Sequence, residues 1–231
     1  MTNPIRVPEA LGAVILDMDG VVRHWRPGPA SAVEKAFRLP LGAIGSVAFA
    51  VPEYQLGVLG VCTFADWLDA IARELSIRIG IRAWEAVTRW ATYRGEVDPD
   101  TMAVVERLRS RVPVHVLSNA HDCFIDDMRQ LGVSGAFDGF HYSAEMGLAK
   151  PDPAAYLEAL ERIGMPANRC VFADDRTENV VAARSVGILA FAYTTPAAFA
   201  DAMSRLSITG LFGLAGTGGI ACLPTWQGPN K

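Results

Sequence analysis

The chain has 231 residues, of which 51% are apolar and 20% charged, with 21 Lys and Arg against 25 Asp and Glu for a net charge of −4. This composition excludes a disordered chain and argues against a general nucleic-acid binder, which needs a basic field. The length suits one large domain, or a core carrying a smaller insert, with a hydrophobic core of ordinary size.

Ala13–Met18 is a short apolar run ending in acidic residues and Gly20, which predicts a buried strand followed by a loop. From Arg23 to about Pro99 the pattern is helical. Ala30–Phe37, Thr63–Ser76 and Ala83–Arg94 each repeat apolar residues at helical spacing, and Phe64, Trp67, Leu68, Ile71 and Leu75 share one stripe. No strand alternates with these helices, so residues 23–97 read as an inserted helical subdomain.

After Pro99 helices and strands alternate. The spacing predicts helix Thr101–Ser110, strand Val114–Leu117, helix Asp122–Leu131 and a short strand near Phe140. Helix Pro153–Ile163, strand Cys170–Ala173, helix Thr177–Val186, strand Ile188–Ala192 and helix Pro196–Leu206 follow. Such alternation implies an α/β fold, a Rossmann-like parallel sheet with helices on both faces. Residues 1–22 and 98–207 would form this core, and the Gly-rich residues 208–231 a tail without regular order.

Two stretches of low charge, Leu39–Cys62 and Leu206–Asn230, carry too much Gly and Pro for spanning helices, so no membrane contact is expected. Cys62, Cys123, Cys170 and Cys222 form no CxxC pair, which excludes a zinc ribbon and a thioredoxin-type motif. Scattered cysteines and the lack of a visible secretory signal suggest reduced thiols and a cytoplasmic location.

Ligands of open parallel sheets sit beyond the carboxyl ends of the strands, and polar residues fall there. Asp17 and Asp19 follow the first strand and share a face at i, i+2 spacing. Close carboxylates resist double ionisation, which suits one to be nucleophile or metal ligand and the other general acid. A plain acidic surface loop remains open for this pair. Ser118 and Asn119 follow a second strand, where a hydroxyl and backbone N–H groups could hold a phosphate or simply cap a helix. Lys150, between Ala149 and Pro151, is either a clamp for a phosphoryl oxygen or a solvated surface lysine. Asp174 and Asp175 follow a third strand; they suit Mg²⁺ or an acidic helix start.

The four segments DMDG, LSNA, GLAKPDP and FADDRTENV, in this order, resemble the haloacid dehalogenase superfamily over residues 12–207. The resemblance implies a small helical cap inserted after the first strand. It implies that Asp17 attacks phosphorus, forming an aspartyl phosphate, while Asp19 protonates the leaving oxygen and then activates water. Ser118 and the Asn119 amide would bind phosphoryl oxygens, and Lys150 would steady Asp17 and the phosphoryl group. Mg²⁺ would be held by Asp17, the Asp19 backbone carbonyl and Asp175, with Asp174 auxiliary.

An alkoxide leaving group needs a proton and a halide does not, so Asp19 favours phosphate-ester over carbon–halogen cleavage. The lack of any lysine between Arg38 and Arg94 counts against an imine-forming phosphonatase. The closest look is to sugar-phosphate phosphatases and the phosphatase domain of soluble epoxide hydrolases. The expected function is therefore an Mg²⁺-dependent phosphohydrolase of small phosphorylated metabolites, monomeric or homodimeric. A phosphotransferase or sugar-phosphate mutase on the same fold, and a non-catalytic phosphate-binding or signalling module, are the alternatives. His24, Trp25 and Arg26 either read the leaving group or form a hinge. His121 and Cys123 are expected to pack on a helix face rather than form a nucleophilic pair.

Overall fold

The computed structural model describes residues 11–206. Its strands in chain order are β1 (Ala13–Leu16), β2 (Arg23–His24), β3 (Glu96–Val97), β4 (Val114–Ser118), β5 (Gly139–Tyr142), β6 (Cys170–Asp174) and β7 (Leu189–Ala192). Five of them form one parallel sheet in the order β5-β4-β1-β6-β7, and β2 pairs antiparallel with β3. The sheet is the α/β arrangement that the alternating pattern predicts.

β1 is the centre of that sheet and is fully buried. Its residues alternate between two cores, as the two-residue period of a strand demands. Val14 and Leu16 join one apolar cluster; Ala13 and Ile15 join the other. Helices α6 (Pro99–Arg109), α7 (Phe124–Gln130) and α11 (Pro196–Leu206) cover the first face. Beyond the short α8 (Ser143–Met146), helices α9 (Pro153–Ile163) and α10 (Thr177–Ser185) cover the second. A strand buried on both sides can be apolar throughout, and truncating a side chain such as Ile15 to Ala costs about 2–5 kcal/mol.

Between β2 and β3 lie α1 (Pro27–Ala36), α2 (Ala43–Ala48), α3 (Pro52–Val58), α4 (Phe64–Ile79) and α5 (Arg82–Trp90). They share an apolar cluster of their own, built from Phe37, Ile44, Trp67, Ile71, Leu75 and Val87 among others. Thr63 opens α4 with a reciprocal capping box to Asp66. Glu34, almost fully buried, accepts hydrogen bonds from the Gly42 and Ile44 amides at 2.8 and 2.9 Å and so fixes the start of α2.

Two features of this region differ from the sequence pattern. Helices α2 and α3 occupy the stretch Leu39–Cys62, where six and seven residues are too short to display a period. Strands β2 and β3 have two residues each and owe their pairing to the meeting of both ends of the helical insert. Among the described residues no helix is long and apolar enough to cross a membrane. The tail 208–231 lies outside the described residues, as does Cys222.

At the edge of the sheet, His141 on β5 and His115 on β4 face each other at 3.2 Å between ring nitrogens. Burial, then the neighbouring His115, holds His141 down at about 4, and burial also lowers His115. A depressed histidine binds fewer protons folded than unfolded, so its contribution is complete above about pH 6.5 and lost as pH falls toward 4. His141→Gln is expected to flatten the acid loss of stability over that window by up to about 3 kcal/mol. Urea denaturation at pH 7 and pH 4.5 measures it; equal losses in both proteins would mean that His141 is not held neutral.

Candidate active site

The parallel register brings three strand ends to one level. Leu16 of β1 lies opposite Val116 of β4 and Ala173 of β6, so Asp17, Ser118 and Asp174 emerge together at the carboxyl edge. The Asp17 amide donates to the Ala173 carbonyl at 2.9 Å, carrying the pairing one residue beyond the strand. Asp17, Ser118 and Asp174 are all buried.

Lys150 reaches this point from the loop before α9. Its Nζ donates to Asp17 Oδ1 and to Asp174 Oδ2, each at 2.7 Å, with all three side chains out of solvent. The surface-lysine reading is thereby excluded. Burial disfavours the ammonium, but the two carboxylates outweigh it and hold the Lys150 pKa above its ordinary value. Burial pushes the Asp17 carboxyl up, and the Lys150 ammonium pulls against it. A buried charge of this kind persists only with partners of opposite sign.

The side chain of Asn119 performs a task the sequence does not suggest. Its Nδ2 donates to the Lys150 carbonyl at 2.7 Å, and its Oδ1 accepts from the Lys150 amide at 2.8 Å. It thus locks the backbone that presents the ammonium. Ser118 Oγ is buried and has no hydrogen-bond partner among the described residues. An orphaned buried hydroxyl costs about 1–3 kcal/mol, which a bound anion would relieve.

Asp174 and Asp175 divide their work. Asp174 accepts from the Arg176 amide at 2.8 Å and from Asn179 Nδ2 at 2.9 and 3.0 Å, in addition to Lys150. It is saturated by donors and does in part what a helix-start residue does. Asn179, on the first turn of α10, is the holder of Asp174; its only sequence signal is its place five residues after it. Asp175 is exposed. Carboxylate oxygens of Asp17, Asp174 and Asp175 lie within 4.8 Å of one another, a spacing that could hold a hard divalent cation. A Cβ on Gly20, whose φ is +92°, would sit 2.2 Å from Asp175 Oδ2. Only glycine leaves room for the carboxylate there.

The Asp19 carboxylate is outside that cluster. It pairs with Arg23, whose Nε meets Oδ1 at 2.6 Å and whose Nη2 meets Oδ2 at 3.0 Å, and Trp25 Nε1 donates to Oδ1 at 2.8 Å. Of His24, Trp25 and Arg26, Trp25 therefore reaches the Asp19 carboxylate. His24 pairs with Asp98 and Arg26 with Glu96 along the β2–β3 stem. Tyr54 of α3 packs against the ring of His121, which follows the Ser118–Asn119 turn and also meets Trp67 at 4.5 Å between centroids. Burial pushes the Cys123 thiol up to about 12, the opposite of an activated nucleophile.

A family model for haloacid dehalogenase-like hydrolases matches residues 11–187. The chain belongs to the haloacid dehalogenase-like hydrolases. A phosphatase of Mycobacterium tuberculosis, MT3486, is 30% identical over 202 residues, covering 79% of this chain and 87% of the relative. The sesquiterpene phosphatase astK of Aspergillus oryzae is 26% identical over 183 residues, covering 77% and 87%. In fold, the chain is similar to the enzyme bt-2542 of Bacteroides thetaiotaomicron, solved in complex with magnesium and inorganic phosphate. The TM-score is 0.65 at 20% identity, with 80% of this chain and 95% of the other covered. This hydrolase thus shares its fold with an enzyme of the family that carries both an ion and an anion.

Gly20→Ala is expected to weaken Mg²⁺ binding to this hydrolase at least tenfold, read by titration calorimetry, because Asp175 must vacate its position. Unchanged binding would show that Asp175 belongs to no cation site.

Proposed function

We propose that this hydrolase cleaves small phosphate monoesters by way of an aspartyl phosphate on Asp17, with Mg²⁺ as cofactor. The observation that carries the reading is the buried Lys150–Asp17 contact at 2.7 Å inside an acidic cluster. A carboxylate that receives a phosphoryl group must approach an anion, and it can do so only where cations offset the repulsion. The curated phosphatases to which the chain is similar support the same reaction class.

Each residue has a task that its position allows. Asp17 supplies the attacking oxygen at the end of the rigid central strand, and its amide link to Ala173 keeps that oxygen in place. Lys150 holds the other side of Asp17 and neutralises charge that accumulates at phosphorus. Ser118 Oγ and the Asn119 backbone amide take phosphoryl oxygens, while the Asn119 side chain keeps Lys150 aimed. Asp19 gives a proton to the leaving oxygen, then takes one from the water that releases phosphate. Asp17, Asp175 and the Asp19 carbonyl would hold Mg²⁺, with Asp174 steadied by Asn179 behind them. When bound, the ion supplies positive charge to both anionic reactants. The helices of residues 23–97 act as the cap that selects the leaving group, and Arg23 and Trp25 at its stem reach Asp19.

The substrate class is a small phosphorylated metabolite in the cytoplasm. Phosphate release from a panel of small esters, with Mg²⁺ and with EDTA, is the test. Release is expected only with Mg²⁺, and Asp17→Asn is expected to lower kcat at least about a thousandfold. Isomerised or transferred phosphate without release would establish the mutase or transferase instead, and inertness of the folded protein toward all esters would refute hydrolysis.

A further inference from the structure

Arg23 is an unusual arginine for a surface stem. It is only 3% exposed, and its guanidinium faces a balanced set of charges. Nε and Nη2 grip Asp19 as a fork, at 2.6 and 3.0 Å. Nη1 turns to Asp127 Oδ2 at 3.3 Å and to the Arg94 carbonyl at 3.5 Å. Asp127, itself buried on α7, also forms an ion pair with Arg94, its Oδ1 lying 2.7 Å from Nε. Two arginines and two aspartates thus form a chain from the core helix α7, through the end of the helical insert, to Asp19. Space for Arg23 is reserved by Gly95, where a Cβ would lie 2.8 Å from Arg23 Cγ. The Trp25 ring lies 4.8 Å from the guanidinium carbon and adds a third donor to Asp19.

We propose that Arg23 is a positioning residue for Asp19, fixing the plane of its carboxyl group and leaving Oδ2 as the oxygen that exchanges the proton. The proposal rests on the reading of Asp19 as acid and base given above. A structural tie between insert and core would need only the Asp127–Arg94 pair. Arg23 instead directs the two-pronged side of its guanidinium at Asp19, and a bidentate fork fixes orientation as well as charge. Oδ1 receives two donors, Arg23 Nε and Trp25 Nε1, whereas Oδ2 receives one at the longer distance. In the first half-reaction a bond forms between an Asp17 oxygen and phosphorus as the ester P–O bond breaks. The electron pair stays on the leaving oxygen, which takes the proton from Asp19 Oδ2. In the second, water oxygen bonds to phosphorus, the Asp17–phosphorus bond breaks, and the water proton passes to Asp19 Oδ2.

The decisive comparison is kcat/KM for an alkyl phosphate, whose leaving group needs a proton, against p-nitrophenyl phosphate, whose leaving group does not. This ratio reports steps only through aspartyl-phosphate formation. Arg23→Gln is expected to lower kcat/KM for the alkyl ester about 10- to 100-fold and for the aryl ester by less than about threefold. Arg23→Lys, a point charge without the fork, should recover part of the loss. In an Asp19→Asn background, Arg23→Gln should add nothing, since residues acting through one group are not additive.

Trp25 is half exposed, so Trp25→Phe folds even if the buried Arg23 variants do not. It is expected to show the same selectivity at a few-fold level. Equal loss on both esters, loss that persists without Asp19, or a gain in activity would overturn the role of Arg23. If Asp19→Asn itself fails to discriminate between the esters, the reading of Asp19 falls and the proposal falls with it. If Asp19→Asn discriminates and neither Arg23→Gln nor Trp25→Phe does, only the proposal falls.

Discussion

One buried ammonium organises this protein's candidate site. Lys150 sits between Asp17 and Asp174, 2.7 Å from each, where neither water nor bulk ions can take its place. Removing any one member leaves charge stranded in a medium that solvates it poorly. The loop before α9, the end of β1 and the end of β6 are therefore bound to one geometry. The Asn119 side chain adds the end of β4 to that set by clasping the Lys150 backbone from both sides. A parallel sheet supplies the platform, because its strand ends lie at one level and its backbone cannot shift without breaking both cores.

Around this point the structure separates rigid from adjustable parts. Asp174 spends its lone pairs on Lys150, Arg176 and Asn179, so its side chain is fixed in place. Asp175, next in sequence, is exposed, and Gly20 keeps the space beside it clear. Adjacent aspartates at a strand end point in different directions, and that alternation leaves Asp174 bonded within the protein and Asp175 open to solvent. Asp19 lies farther out, held by side chains from the stem of the helical insert rather than by the sheet. In the proposed mechanism the group that would exchange the proton is thus tied to the stem of the helical insert, and the nucleophile to the central strand of the sheet.

The helical insert touches the core through close backbone approaches. A Cβ on Gly60 would meet the Ala144 carbonyl at 2.1 Å, and one on Gly57 would meet His121 at 3.1 Å. The Phe64 amide at the start of α4 donates to Asp122 of the core at 2.8 Å. These contacts place the aromatic residues of α3 and α4 over the Ser118–Asn119 turn.

The sequence alone determined the alternation of strands and helices, because apolar runs of four or five residues between amphipathic helices can be satisfied only by a sheet covered on both faces. It also singled out the candidate site residues, since Asp17, Asp19, Ser118, Asn119, Lys150, Asp174 and Asp175 all stand in short segments at strand ends or in a Pro-bounded loop. Helices α2 and α3 and the two-residue strands were not legible, being shorter than the periods that would reveal them. Only the tertiary structure decided how the acidic residues are shared out, that Asn119 works through its side chain, and that Arg23, Arg94 and Asp127 form one network. Arg23 stands 71 positions from Arg94 and 104 from Asp127. No local pattern encodes a contact of that kind, because it exists only after both ends of the helical insert have met beside α7.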